Sequence, residues 1–352
     1  MDLFSTDVLT ALVRSLKAPN TFILDNYFPM VVEEDSEEVH FDVETGVRRL
    51  APFVAPILEG RVVESQGFVT RSLKPAYVKD LRPFDTLKPF KRMAGEALTG
   101  SMSAGQRSEA LVAQELADAR AMLKRRLEWM AIQAITLGSV TIDGEGYDAV
   151  QLTFGRDAAL TATLLAGARW IPANVDAGTA TPVEDIEDMA ESVHEKEGAT
   201  ITDVVMGLAA WRSFRRDPRF EKAVDLRRAG SAEVVGRYVL PARGDEAPAR
   251  LMGTMGDINL WTYSQYYIDP ATGNELNMWD SDTVTCISPS LNGVRHFGAI
   301  KDHDAGLVAV DQFIKSWVVP NPSVRYLLSQ SAPLMVPYRP NATGTILTGA
   351  SQ

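Results

Sequence analysis

Four short stretches of the chain bring together residue types that could do chemistry. In 301-KDHDAG-306, Asp302, His303 and Asp304 offer two carboxylates and an imidazole to a divalent cation. Adjacent ligands on one loop, with no partner cluster elsewhere, read instead as a solvated turn. In 143-DGEGYD-148 the acidic residues suggest a calcium loop, but their spacing departs from the EF-hand series and a Gly-Glu-Gly hairpin turn accounts for both glycines. The loop 100-GSMSAGQR-107 carries the two glycines of a phosphate-binding loop ahead of a helix. Gln106 stands where the phosphate-reaching lysine belongs, Arg107 where the magnesium-binding hydroxyl belongs, and no clear strand precedes them. The stretch 211-WRSFRRDPRFEKAVDLRR-228 concentrates seven basic and three acidic residues with aromatics, a composition that could face nucleic acid. Its plainer reading is a two-helix segment with Trp211, Phe214 and Phe220 buried and the arginines solvated.

Two lone groups complete the search. His194 lies among Glu191, Glu195 and Glu197 on what reads as a polar helix face, and no Ser, His and acid set accompanies a GxSxG turn. Cys286, the single cysteine, sits in the apolar run VTCIS and reads as packed and inert. The expectation is therefore no catalytic, cofactor-binding or metal-binding residue, and no cofactor. Bulk properties describe a folded chain. With 352 residues, 45% of them hydrophobic, the chain has room for roughly two domains with sizeable cores. A net charge of −11 argues against a sequence-independent grip on nucleic acid. One cysteine excludes an intrachain disulfide framework and fits a reducing, cytoplasmic interior. The stretch MDLFSTDVLTALVRSLK interrupts its apolar residues with Asp2, Asp7 and Arg14, unlike a signal peptide, and no run of eighteen apolar residues predicts a membrane span.

The elements that must position these residues are uneven in texture. Residues 5–17 have helical spacing up to Pro19, and TFILDNYFP followed by the acidic run EEDSEE reads as an arm. From 37 to 90 the pattern has period two, with Gln66-Gly67 as a candidate hairpin turn, while Pro52, Pro56, Pro75, Pro83 and Pro89 exclude central strands over much of its length. Then comes one long helix. Ser103 with Gln106 forms a capping-box pattern, Gly138 supplies a left-handed stop, and Val112, Leu116, Ala119, Leu123, Leu127, Met130, Ala134 and Leu137 form one seam whose remaining faces should stay polar. Residues 139–154 read as a hairpin, and 201–228 as strand, helix and a further helix from about 219. Beyond 250 come short strands with ATGNELNM as a turn, and the run from QSAPLM onward is expected to rejoin an earlier sheet.

In this order the elements resemble the major capsid proteins of tailed phages, and more narrowly the lambda-like family. The likeness is carried by FILDNYFP, VAPILEGRVVESQGFVTRSLKPAYVK, WMAIQAITLGSVTIDGEGYDAVQLTFGR, VVMGLAAWRSFR and QSAPLM. It spans nearly the whole chain but is thin over 160–200 and 230–250. The resemblance implies an α+β, HK97-type capsid fold. Its parts would be an N-terminal arm (1–36), an extended β segment with an E-loop (37–90), and a peripheral domain (91–160) with a spine helix at about 106–137. A mainly axial α/β domain (161–325) and a C-terminal strand returning to the peripheral domain (326–352) would complete it. It implies a non-enzymatic protein that self-assembles through pentamers and hexamers into an icosahedral head, built in the host cytoplasm. Scaffold, portal, head protease, a decoration protein and packaged DNA would be its partners. Arg61, Phe68, Arg71 and Lys74 are the expected inter-subunit contacts, their positive bias seeking an acidic run on the next copy. The alternatives are nucleotide binding through 100–107, or nucleic-acid binding through 211–228.

Overall fold

In the computed structural model the described residues are 20–36, 38–44, 68–85, 102–144, 146–220, 224–225, 247–321 and 323–351, with isolated positions within 9–13, 51–59 and at 91. The spine helix runs Ala104–Leu137, 34 residues or about 50 Å at 1.5 Å per residue. Its start is fixed as the capping box predicts: the Gln106 backbone N–H donates to the Ser103 hydroxyl at 3.3 Å, and the Ser103 N–H donates to the Gln106 side chain at 2.9 Å. It ends at Gly138, whose φ of 65° a side chain would resist. Its last carbonyls are also capped, since the Arg156 guanidinium donates to the Ile135 and Thr136 oxygens at 2.7 Å each. Burial pulls the Arg156 pKa down to about 10, which leaves it charged at neutral pH.

The two halves of this helix pack differently. Val112, Leu116 and Ala119 bury one stripe in the first half, as expected of a single seam. The second half buries Met130, Ala131, Ile132, Ala134, Ile135 and Thr136, which covers several faces at once. A polar remainder is thus found only on the first half, because WMAIQAIT is apolar almost all round and is enclosed accordingly. The seam also stops short of Leu137, which is 49% exposed at the last turn.

Around the helix lie three main sheets. A seven-stranded mixed sheet runs in the spatial order Thr161–Thr163, Thr343–Leu347, Thr283–Ile287, Asp203–Met206, Ile258–Tyr263, Ala249–Met255, Val224–Asp225. The C-terminal run therefore does return to an earlier sheet, with Thr343–Leu347 between Thr161–Thr163 and Thr283–Ile287. Val224–Asp225 pairs with Met255 and Thr254 as a strand, so the further helix expected from about 219 does not extend through these residues. ATGNELNM is a turn only at its start, and Glu275–Asn277 pairs with Tyr266–Ile268 as a short hairpin. The hairpin after the spine forms from Ser139–Gly144 and Tyr147–Thr153.

The second sheet places Gly293–Gly298 between Met30–Glu34, which runs parallel to it, and Pro333–Pro337, which runs antiparallel. The third has Ser323–Ser331 between Phe313–Pro320 and Val78–Asp85. Pro83 lies in this last, outer strand, where its missing N–H costs no ladder bond. Phe84, Ile314 and Leu327 from this sheet pack on Val112 and Leu116 of the spine, joined by Leu9 and Val13. Most of the helix expected over 5–17 lies outside the described residues. Arg82 ties the same sheet to the helix, its guanidinium 3.1 Å from Glu115 and 2.7 Å from Asp118. Among the described residues no helix is long and apolar enough to cross a membrane.

Leu123 and Leu127 are buried one turn apart where the helix enters the larger core. Truncating either to alanine should cost about 2–5 kcal/mol of unfolding free energy, read from denaturant titrations. Leu137→Ala should stay within about 0.5 kcal/mol because its side chain is half in solvent. Equal effects at all three positions would contradict this division of the helix.

Candidate inter-subunit site

Each candidate chemical motif is occupied by structural work. The Asp302 and Asp304 carboxylates both bind Lys315, at 2.6 and 3.1 Å, and Asp302 also accepts from Gln330. Desolvation pushes the Asp302 carboxyl up, but the bonds from Lys315, Gln330 and the Asp304 N–H together outweigh it and hold the group below its usual range. Gly144 pairs with Tyr147 at the end of the hairpin after the spine, and Glu145 lies outside the described residues. Gln106 and Ser103 spend their polar atoms on the helix cap. Trp211, Phe214 and Phe220 form one aromatic cluster with ring centroids 5.6–5.9 Å apart. Arg216 and Arg219 reach Asp176 and Glu184 of their own chain. The basic stretch is therefore partly neutralised where it is described, and residues 226–228 lie outside the described set. Cys286 is fully buried and its thiol is pushed up to about 12 by burial.

What remains for function is a surface, and the ribbon after the N-terminal segment is the part best built to serve one. Val39–Glu44 pairs with Phe68–Leu73 in antiparallel register, and among the described residues neither strand has another partner. Residues 68–73 pair with a strand almost thirty positions earlier, and the ribbon's two arms are joined by residues 45–67. Gln66 and Gly67 lie outside the described residues, as does Arg61. The structure places Phe68 opposite Glu44 and Arg71 opposite Phe41, with Lys74 exposed just past the strand. The acidic run 33–38 leads directly into this ribbon, where Glu38 accepts from the Ser72 hydroxyl.

A chain of polar anchors fixes the root of the ribbon. The first is Glu128 on the spine, completely buried, whose carboxylate accepts from the backbone N–H of Phe22, Ile23 and Leu24 at 3.1, 3.0 and 2.8 Å, and from the Tyr263 hydroxyl at 3.0 Å. These N–H groups open the short helix Ile23–Tyr27 and have no partner within it. Burial pushes the Glu128 carboxyl above its ordinary pKa, and the four donors oppose that shift. At the other end of the same turn Arg295 donates to the Phe28 and Leu24 carbonyls at 2.6 and 2.7 Å and pairs with Asp25 at 2.9 Å. Next, Glu34 bonds the buried His296 ring at 2.7 Å, and His296 reaches the Tyr338 hydroxyl at 3.2 Å. Gly293 lets the segment lie close, since a Cβ there would stand 2.3 Å from the Tyr27 oxygen. The segment expected to be an arm is thus a strap, with Phe22, Ile23, Leu24 and Phe28 fully buried beneath it.

A long spine, a ribbon with no third strand among the described residues and a strap that roots it are an architecture with known counterparts. The family profile described as phage major capsid protein E matches residues 5–346. The chain belongs to that family. The major capsid protein of Enterobacteria phage P21 is 26% identical over 343 residues, covering 96% of each chain, and that of Escherichia phage lambda is 26% identical over 305 residues, covering 86% of each. The crystal structure of a capsid protein from a prophage of Escherichia coli CFT073 superposes with a TM-score of 0.75, at 23% identity and 99% coverage of both chains. The fold is the α+β capsid fold of the HK97 type, and the protein is a major capsid protein of a tailed phage, many copies of which form the head shell. It is a structural protein of a non-enzymatic family, and these likenesses lend the nucleic-acid-binding alternative no support.

Two features of the capsid protein escaped the sequence reading. Glu128 was readable only as the sole charge between Leu127 and Leu137. Phe53 and Ile57, which stand fully exposed between the ribbon arms, carry no periodicity in sequence that would single them out. Glu128→Gln keeps shape but turns an N–H₂ toward backbone donors, orphaning at least one of them, and should cost about 1–3 kcal/mol of unfolding free energy. Tyr263→Phe, which removes one of four donors, should cost about 1 kcal/mol. A Gln variant as stable as the parent in denaturant titrations would show that the carboxylate is not what secures the strap.

Proposed function

We propose that the capsid protein closes its shell by laying the 39–44 and 68–73 ribbon of each copy, as an E-loop, across a neighbouring copy. The observation that carries this reading is the ribbon's isolation. A two-stranded ribbon is marginal in water on its own, and here it is firmly rooted yet pairs with no further strand among the described residues. Such a segment gains its order from a partner. Phe68, Arg71 and Lys74, with Arg61 beyond the described residues, would supply contacts to the next subunit. In this reading residues 91–160 and the returning C-terminal run act as a peripheral domain and 161–325 as an axial domain, with copies arranged in pentamers and hexamers. Scaffold, portal, head protease and a decoration protein would act on the same shell during assembly in the host cytoplasm. The net charge of −11 suits an inner wall that holds packaged DNA without adhering to it.

Arg71→Glu combined with Lys74→Glu tests the ribbon. The acidic run at the root of the same ribbon means that reversed charges would meet like charge at home as well as on the neighbour. The variant should remain soluble with an unchanged circular dichroism spectrum and fail to form closed shells on sedimentation. Each contact is worth only about 1 kcal/mol, but a shell repeats it at every copy. Shell yields equal to the parent would remove these residues from the interface.

A further inference from the structure

A groove of about 920 Å³ lies between the spine helix, the Val78–Asp85 strand and the short hairpin Tyr266–Ile268 with Glu275–Asn277. We propose that this groove is the acceptor for Phe53, Ile57 and Glu59 of a neighbouring copy, an assignment that rests on the shell-closing role of the ribbon and names its docking site.

The groove has the composition of a receptor. Its floor and walls are apolar and aromatic, including Leu123, Trp129, Tyr267 and Met278, and its rim carries Lys79, Arg125 and Arg126. Asp80, the one acidic residue of the lining, is already engaged by Arg82 at 2.7 Å. Arg126 stacks over Trp129, its guanidinium 5.1 Å from the ring centroid. Lys79 and Arg125 are exposed and form no ion pair, among the described residues, within their own chain. In a protein of net charge −11, a rim of three cations against a spent carboxylate marks a place for an incoming anion.

The donor has the matching composition. Phe53 and Ile57 are large, apolar and fully exposed, a state that costs solubility unless a partner covers them. Glu59 is exposed two positions on and is the only charged residue from Leu50 to Gly60. Aromatic and aliphatic anchors sunk in an apolar slot, with a charge at the rim, are the arrangement that carries most of the energy of a protein interface. Within the single chain both side chains stand uncovered. The acidic runs, by contrast, offer no apolar surface to receive Phe53 and Ile57.

Ile57→Cys and Met122→Cys in one full-length chain test the contact directly, because Met122 lines the groove and Cys286 is buried and leaves the new thiols as the reactive pair. Oxidation of shells formed by this variant should give a ladder of disulfide-linked copies on non-reducing gels, absent with either substitution alone. Shells without a ladder overturn the groove assignment while leaving the shell function standing. An independent arm exchanges charge. Arg125→Glu and Glu59→Arg should each lower shell yield at least tenfold without changing the melting temperature of the unassembled protein, and the two together should restore it. Parental yields from both single exchanges, or no recovery when they are combined, overturn the proposal. Failure of the unaltered chain to form shells would instead remove the shell reading on which it rests.

Discussion

A buried carboxylate with no cation beside it is the constraint on which the rest of this structure depends. Taking a charge out of water costs several kcal/mol, and Glu128 recovers that cost only through donors aimed at both of its oxygens. Three of those donors are backbone N–H groups at the start of a five-residue helix, which is too short to stand without tertiary support. The dependence is mutual: the strap leaves an uncompensated charge behind if it departs, and the helix loses its cap if the charge is removed. Tyr263 couples the large sheet to the same point, its hydroxyl pushed well above its usual pKa, first by burial and then by the adjacent carboxylate. Phe22 packs on Trp261 at 4.7 Å beside it, so the polar junction is sealed by aromatic surface.

From that junction the length of the spine helix makes sense. It is longer than either packing unit it serves. Its first half closes the sheet built from Val78–Asp85, Phe313–Pro320 and Ser323–Ser331, while its second half is enclosed by the core that includes the seven-stranded sheet. Glu128 lies where the helix passes from one regime to the other. The strap crosses there, which places the root of the ribbon under control of the point where the two units share one rigid element. Arg82 at one end and Arg156 at the other complete the same logic, binding sheet to helix and helix end to its following loop.

Local rules made much of this legible. The helix boundaries followed from Ser103, Gln106 and Gly138, because capping is decided within four residues. The hairpin over 139–153 followed from glycine spacing for the same reason. The pairing of 39–44 with 68–73 was not legible because the two arms are distant in sequence and local turn rules do not reach across residues 45–67. TFILDNYFP read as an arm since its stability comes from Glu128 and Arg295, residues that lie over a hundred positions away. Val224–Asp225 went to the large sheet despite its helical surroundings, which is tertiary context overriding propensity. The residues proposed for the inter-subunit contact were legible only as a charge bias, because the apolar half of a docking segment looks the same in sequence whether it will be buried in its own chain or in the next.

That last ambiguity has a physical consequence for assembly. Inside the chain, contacts of high cost and high yield are concentrated: a buried carboxylate with four donors, a buried His296 bridging Glu34 and Tyr338, and Asp203 accepting from Asn259 and Trp261. Each specifies one arrangement, since a misplaced strap or strand would strand a buried polar group. The exposed residues follow the opposite rule, with a few apolar side chains and single charges of modest individual worth. A shell needs this division. Contacts between copies must be weak enough for a wrongly placed subunit to leave, and they gain strength only by repetition around a closed surface. A subunit whose own fold were equally negotiable would deform to satisfy a wrong neighbour. By fixing the ribbon's root with charges that tolerate no second geometry, the strap lets the weak outer contacts discriminate between neighbours instead of reshaping the protein that presents them.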